Sequence, residues 1–546
     1  MQSSNPEASK KTWKPARKKQ KGYQRPKKQS APDEVLVKDV DNLLRRCESE
    51  ADGKESGADV PPTVLHDFKS EEFPETEVTV TELSSTGDGL ALSPAKDHVY
   101  IVPFTVPGDK VRIKVVKTMK DYKLSETDLL EVLQPGAQRD DSRVFCQYFG
   151  KCSGCQLQMM SYEDQLKHKK KIIEKAYANF SGILPELIPA IGDTMASPLQ
   201  SGYRTKLTPH FSKPRGLKQQ GEREGSPEPL AIGFMMKGRR RVLDIEDCPL
   251  GTDIVRRGLK NERKRVAENI DKFKSGATIL VRETTSRKYK DVPEGDKSAE
   301  TSSEQKKPEQ QDSTPEPKPA EENIIRKDHP RFVEEKGYVT DPNARSCEFV
   351  DDYQFHTQAG TFFQNNNSIL SPFIEYIRQN VRPPTPNDET APRSKIKYLL
   401  DAYCGSGLFT ITLSKLFLSS LGIDISVAGI QSARANTISN ALPNAGFAAA
   451  DAAHLFNDVP YPADQTLLVI DPPRKGCDMN FLNQMLAYGP TRVVYVSCNV
   501  HTQARDIGIL VEGGKGSRYE IESIRGFDFF PQTGHVESVA VLNKVA

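Results

Sequence analysis

From Asp351 onward the chain alternates short, unbroken apolar runs with helix-patterned segments, and few folds accept that pattern. IKYLLDAYCGSG precedes LFTITLSKLF, and ISVAGIQ precedes SARANTISNAL. LLVIDPP precedes FLNQMLAYG, VVYVSC precedes HTQARDIGIL, and a final run reads ESVAVLNK. Strands buried on both faces read as continuous apolar runs, and parallel neighbours need a helix-length crossover between them. The alternation predicts a doubly wound, mostly parallel, Rossmann-like α/β sheet over residues 351–546, with ligands at the carboxyl ends of its strands.

At 546 residues the chain is long enough for several domains. Residues 1–72 are polar and poor in aromatics, and are expected to be unstructured. The first thirty residues hold ten Lys or Arg against one acid, Glu7. Such an arm suits a nuclear address, a nucleic-acid tether or a solubilising tail. It lacks the apolar core of a signal peptide, and no apolar run approaches the ~20 residues of a membrane span. Nine cysteines without a secretion signal point to a reducing, intracellular compartment, nucleus or cytoplasm, with the mitochondrion left open. Over residues 73–137, EVTVTELSSTGDGLALS and HVYIVPFTVPGDKVRIKVVK alternate apolar and polar positions around Gly-rich turns, which predicts a small antiparallel β-barrel. Residues 138–350 read as a central α+β domain with a cysteine patch, a long helix and a solvated Glu/Lys/Pro/Ser-rich insert at 291–322.

Three stretches of the C-terminal domain carry chemistry. DAYCGSG ends a strand and opens a helix, so Asp401, Tyr403, Gly405 and Gly407 border a turn where the backbone can approach a ligand. A tight turn needs glycine anyway, and Cys404 inside it is taken as structural. DPPRKG ends another strand. Its prolines also serve as a plain strand stop, but they set Asp471 beside the glycine turn, and Arg474 offers a cation to a phosphate or a carbonyl. VVYVSCNV puts Cys498 at the same sheet edge, where a thiol is either a small hydrophobe or a nucleophile. GHVESVAV brings Glu537 to the start of the last strand. A thiol and a base are the groups that methylation at C5 of a pyrimidine requires. Thiolate addition at C6 makes C5 nucleophilic, and a base then removes the C5 proton so that the thiolate can leave.

D-x-Y-C-G-x-G, D-P-P-R-x-G, S-C-N and H-V-E, in this order, resemble the S-adenosylmethionine-dependent RNA (uracil-C5)-methyltransferases. QAGTFFQNNNSIL resembles that family's F-x-Q-x-N segment at Phe362, Gln364 and Asn366, and the small barrel resembles the RNA-binding TRAM domain. The resemblance covers most of residues 75–546 and is strongest to members that make 5-methyluridine in the tRNA T-loop. It implies Cys498 as nucleophile, Glu537 as proton acceptor, and cofactor contacts from Gln364, Tyr403, Gln431 and Asp471. Gln431 stands where the family has a Glu for the ribose hydroxyls. A cytosine enzyme would carry Pro-Cys in the D-P-P-like loop, whereas Cys477 here lies past the glycine. tRNA is the expected partner, with no membrane and no obligate protein partner. Ribosomal RNA as substrate, or an RNA-folding role in which methyl transfer is dispensable, stays open.

Upstream, CQYFGKCSGC and DIEDCPL supply Cys146, Cys152, Cys155 and Cys248, a set whose spacing suits zinc or iron–sulfur alike. Relatives with this pattern bind a [4Fe-4S] cluster, so the resemblance favours iron–sulfur, with thiols retained around an unfilled site as the alternative. KGRRR at 237–241, with Tyr203, Arg204 and Lys206, are the expected RNA contacts, although a basic run is often only a solvated face.

Overall fold

The computed structural model describes residues 33–51, 74–213, 230–290, 323–383, 395–450, 456, 459–514 and 516–545. The basic arm and the 291–322 insert lie outside these residues. Helix α1 (Glu34–Ala51) falls within the segment expected to be unstructured. Its Val40, Leu43 and Leu44 follow a helical apolar spacing that the surrounding charge obscures, and they bury against Leu90, Val99, Ile101 and Leu124. Asp39 is buried with them and accepts hydrogen bonds from the Ser85 main-chain N–H at 2.5 Å and its hydroxyl at 3.2 Å.

The partner of that helix is a closed barrel of five strands, β1 (Glu75–Leu83), β2 (Gly89–Leu92), β3 (Val99–Val102), β4 (Lys110–Met119) and β5 (Leu124–Gln134), in the order β1-β2-β3-β5-β4. Closure leaves the barrel no open edge. The long helix expected after the cysteine patch is α2 (Tyr162–Phe180), capped by Ser161, whose hydroxyl accepts from the Asp164 N–H at 3.1 Å.

After β6 (Gly192–Met195), the central part holds two four-stranded sheets around α3 (Asp253–Glu268). One consists of β8 (His210–Phe211), β9 (Ile232–Met235), β10 (Val242–Asp244) and β11 (Ala277–Thr278). The other consists of β7 (Lys206–Leu207), β12 (Val281–Tyr289), β13 (Ile325–Asp328) and β14 (Phe332–Val339). A hairpin of β15 (Arg345–Val350) and β16 (Tyr353–Gln358) leads into the C-terminal domain.

There, α4 (Leu370–Gln379), α5 (Leu408–Leu413), α6 (Val427–Ser439), α7 (Met479–Tyr488) and α8 (Val500–Glu512) flank an eight-stranded sheet. Its strands are β17 (Tyr398–Ala402), β18 (Ser419–Asp424), β19 (Ala445–Ala449), β20 (Thr466–Ile470), β21 (Arg492–Ser497), β22 (Tyr519–Phe527) and β23 (Glu537–Lys544), with β6 added at one edge. The order is β19-β18-β17-β20-β21-β23-β22-β6. β17 to β21 are parallel, but β23 runs antiparallel to both β21 and β22. One face buries Phe373, Phe409 and Phe527 beneath α4 and α5, and the other buries Tyr177, Phe481 and Tyr495 beneath α2, α7 and α8. Strand order reverses between β17 and β20, so their carboxyl ends open the crevice where such sheets bind ligands.

Candidate active site

The glycine turn leaves β17 at that crevice. Tyr403 has φ +63° and Gly405 +55°, and Gly407, at +91°, starts α5. A bulky residue at positive φ is strained, and such strain persists only where surrounding structure enforces it. Gly405 faces open space, since a Cβ there would meet nothing within 4 Å. Gly407 is fixed for the opposite reason: a Cβ would come 2.9 Å from the Phe447 ring. Buried Asp401 accepts from the Thr410 N–H at 2.9 Å and its hydroxyl at 2.6 Å, while its other oxygen has no protein partner. Burial pushes its pKa up to about 7.

The structure corrects the strand end on which the expected contact of Gln431 rests. ISVAGIQ is not a strand: β18 ends at Asp424, and Gln431 lies exposed on α6. Asp424 therefore holds the strand-end position expected for Gln431. Its carboxylate accepts from the Gly405 N–H at 2.9 Å and the Ser426 N–H at 2.7 Å. The signal was available in GIDIS, where the helix N-cap Ser426, accepting from the Gly429 N–H at 3.1 Å, fixes the helix start. An orphaned buried oxygen, an open glycine face and a strand-end acid together suit a ligand bearing hydroxyl and amine groups, as S-adenosylmethionine does.

Cys498 and Glu537 are brought together by strand register. Ser497 on β21 pairs with Ser538 on β23. Cys498 follows directly in the turn after β21, Glu537 precedes Ser538 at the start of β23, and the Glu537 charge reaches the Cys498 thiol. Asn499 explains the residue after the cysteine: its side chain caps α8 by accepting from the His501 N–H at 3.2 Å, and donates to the Arg474 carbonyl at 2.9 Å. The S-C-N turn and the D-P-P-R loop are thus tied together. Gly476, at φ +75°, ends the bend in that loop.

Electrostatics join Cys498, Glu537, Asp471 and Arg474. Burial, then the Glu537 and Asp471 charges, push the Cys498 thiol up to about 11, and Arg474 opposes them. Glu537, only 3% exposed, is pushed up to about 8 by burial and by Asp471, again against Arg474. Asp471 itself is raised to about 7 by burial and the Asp401 charge. The Glu537 and Asp471 charges act on the thiol, Asp471 acts on Glu537, and one cation, Arg474, opposes both shifts, a constellation of the kind that clusters at functional sites.

Gln364 is buried in the loop between β16 and α4, and Phe362 beside it is 73% exposed. Arg282, fully buried on β12, holds this loop by donating to the Ala359 carbonyl at 3.2 Å and the Thr361 carbonyl at 2.8 Å. Asn366 anchors its far end through the Ser197 hydroxyl at 3.0 Å and the Phe529 carbonyl at 3.2 Å. Asn366 is flagged by the F-x-Q-x-N segment, whereas Arg282 is announced by no chemical pattern of its own.

The remaining expectations fare unevenly. Tyr203 is buried and donates to the Pro531 carbonyl at 3.2 Å, so it is a support and not an RNA-facing residue. Lys206 is half-buried, and Arg204 lies 5.9 Å from the Phe530 ring centre. In the basic run Lys237 pairs with Asp88 at 2.7 Å and Arg239 with Asp128 at 2.8 Å, while Arg240 and Arg241 are exposed. Cys146, Cys152, Cys155 and Cys248 line one pocket, and Cys155 is pushed up to about 12, first by burial. Among the described residues, however, no group of three or more His, Cys, Asp or Glu is placed to hold a metal ion. The expected iron–sulfur cluster is not supported by the arrangement as it stands. Among the described residues no helix is long and apolar enough to cross a membrane.

Comparison with known proteins agrees with this geometry. Residues 348–545 match the model of the family described as tRNA (Uracil-5-)-methyltransferase, and residues 69–126 match the TRAM domain. The tRNA (uracil(54)-C(5))-methyltransferase of Schizosaccharomyces pombe is 40% identical over 95% of this chain and 85% of its own length. That of Saccharomyces cerevisiae is 39% identical over 94% of this chain and 82% of its own. Among solved structures, the Pyrococcus abyssi tRNA (uracil-54, C5)-methyltransferase, in complex with S-adenosyl-L-homocysteine, shares the fold. Its TM-score is 0.56 at 21% identity, over 86% of this chain and all of that one. Identity near 40% along almost the whole length, on a sheet edge that pairs thiol with carboxylate, leads to one conclusion: this chain belongs to the tRNA (uracil-5-)-methyltransferase family.

Proposed function

We propose that this protein methylates C5 of a uridine in the tRNA T-loop, the base numbered 54 in the names of its relatives, with S-adenosylmethionine as donor. The observation that carries the reading is the convergence at one sheet edge of the Cys498 thiol with the Glu537 and Asp471 carboxyls, whose charges act on it. Asp401, Tyr403, Gly405, Asp424, Asp471 and Gln364 would hold the donor, which supplies an electrophilic methyl group when bound. Cys498 adds to C6 of the flipped base, and the C5=C6 electrons become available at C5. Once C5 carries the methyl, Glu537 takes the C5 proton, the C5=C6 bond re-forms and the C6–S bond breaks, releasing the thiolate.

Burial makes both Cys498 and Glu537 favour their protonated forms at neutral pH. Positive charge brought into this carboxylate-lined crevice adds to the pull of Arg474 and favours ionisation of both. Exposed Phe362 offers a stacking face for a base leaving its helix, and Arg240 and Arg241 offer charge to phosphates. We assign the protein to an intracellular compartment, where its RNA substrate is found.

The test uses tRNA bearing 5-fluorouridine. Fluorine at C5 cannot leave as a proton, so a methylated covalent adduct should accumulate and map by mass spectrometry to Cys498. Absence of adduct with folded, donor-bound protein would overturn the covalent reading. An adduct on ribosomal RNA alone would overturn the choice of substrate.

The four-cysteine pocket carries a separate, finer proposal on the chemistry of its donors and not on their geometry: four thiols are what a [4Fe-4S] cluster takes, and these would have to draw together to hold one. Protein purified without oxygen should then contain about four irons and matching acid-labile sulfide per chain. Iron-free protein with full activity would reduce these thiols to packing.

A further inference from the structure

Residues 528–536 join β22 to β23 and deliver Glu537 to the site, and they are held from outside by the cysteine-rich segment, α2 and the barrel. Lys169 and Asp528 form an ion pair with both side chains fully buried, and the same ammonium donates to the Phe530 carbonyl at 3.0 Å. Gln165 makes a reciprocal pair with Gln532: its Nε2 donates to Gln532 Oε1 at 3.1 Å, and its Oε1 accepts from the Gln532 main-chain N–H at 3.0 Å. Gln532 is held at φ +73°, a strained conformation for a residue with a side chain. Gln156 and Leu157 add main-chain N–H bonds to the Gln532 carbonyl at 2.8 and 3.1 Å.

The Gln156 side chain bridges two parts of the molecule. Its Oε1 accepts from the Gly534 N–H at 3.1 Å, and its Nε2 donates to the Thr86 carbonyl in the barrel turn at 2.7 Å. Here the two backbones nearly touch: a Cβ on Gly534 would lie 2.9 Å from the Gly87 Cα. The barrel turn is therefore a wall against which the segment ahead of Glu537 rests. A neutral amide donates and accepts at once, so each glutamine satisfies a donor and an acceptor of the structures it joins.

We propose that Gln156 and Gln165 are positioning residues for the proton-removal step, holding residues 532–534 so that the Glu537 carboxylate faces the C5 proton of the covalent adduct. The proposal rests on the assignment of Glu537 as base. In that step the C5–H pair re-forms C5=C6, the proton goes to Glu537 and the C6–S pair returns to Cys498. Misplacing the base slows this step alone, whereas addition to C6 and methyl transfer depend on Cys498 and the donor. Misplacement by about 1 Å can cost a catalysed step on the order of 100-fold.

The experiment measures, for full-length wild type, Q156M, Q165M and E537Q on unsubstituted tRNA, both the single-turnover rate of methyl transfer and the fraction of protein in denaturation-resistant methylated adduct. Q156M should transfer methyl at close to the wild-type rate yet accumulate adduct, with release slowed about 10- to 100-fold. Q165M should do the same. E537Q is the control: if it accumulates no adduct, the base assignment fails. If E537Q traps RNA but neither glutamine variant does, or if methyl transfer and release slow together, only the positioning proposal falls. If Q156M fails to fold, Q165M decides. If neither folds, the glutamines are structural supports and the proposal is rejected.

Discussion

Replacing Cys498 by alanine should abolish methyl transfer, by about 10⁴-fold or more, without unfolding the protein. The sulfur is half-exposed in a turn already fixed by other atoms: the Ser497 hydroxyl accepts from the Asn499 N–H at 3.0 Å, and Asn499 ties down both α8 and the D-P-P-R loop. Removing one partly exposed atom there should change stability by less than about 1 kcal/mol. The carboxylates, glycine turn and Gln364 that are assigned to the donor all remain, so its affinity should change little. Single-turnover transfer from labelled S-adenosylmethionine to tRNA, with donor binding measured alongside, makes the comparison. A variant that keeps a tenth of wild-type transfer would refute the covalent route. One that remodels RNA while transferring nothing would show that binding and chemistry are separable activities of this chain.

The Glu537→Gln variant should fail later in the reaction. The amide fills the same space and cannot take a proton, so one methyl is transferred and the RNA stays bound through C6. Steady-state turnover should fall by about 10²- to 10⁴-fold, while the adduct becomes the dominant species. The same substitution has a thermodynamic signature. Burial raises the folded-state pKa of Glu537 from 4.5 to about 8. Between those values the native state holds a proton that the unfolded state has released, so this group's contribution is full below about pH 4.5 and lost as pH rises towards 8. E537Q should therefore flatten the decline in stability over that window and be the more stable form at pH 8, by up to a few kcal/mol at about 1.4 kcal/mol per pKa unit. Chemical denaturation at several pH values tests this. A decline as steep in E537Q as in wild type would mean that another carboxyl governs it, with Asp401 and Asp471 the first to examine.

The C-terminal sheet could be read in advance because β17, β20, β21 and β23 are apolar runs long enough to be buried on both faces, each ended by a turn with its own chemistry. β18 was misplaced since SSLGID is weakly apolar while the exposed start of α6, with Ile425 and Val427 uncovered, imitates a strand. That one shift moved the expected ribose contact from Asp424 to Gln431. β6 was invisible for another reason: GDTM is short and owes its place to pairing with β22, more than three hundred residues away. Helix α1 lay hidden because three buried apolar residues are diluted by eight charged ones in EVLVKDVDNLLRRCESEA. The pairing of Cys498 with Glu537 depends on register, which sequence alone does not express. The strand pattern put both at one sheet edge, and the resemblance gave them their roles. The supports made by Arg282, Gln156 and Gln165 are ordinary polar residues whose meaning comes from what they touch.

The position of β23 bears on how the protein is made. It lies between β21 and β22, yet the ribosome synthesises it after both. Until it emerges, neither neighbour has its partner on that side, and the buried β21 and the half-polar β22 present open edges. Cys498 emerges before Glu537. A nascent chain that acquired a working nucleophile at that stage would attach RNA and have no means of releasing it. Since the strand carrying Glu537 also completes the sheet on which Cys498 is presented, the proposed mechanism has the ability to capture RNA and the ability to let it go acquired in one folding event.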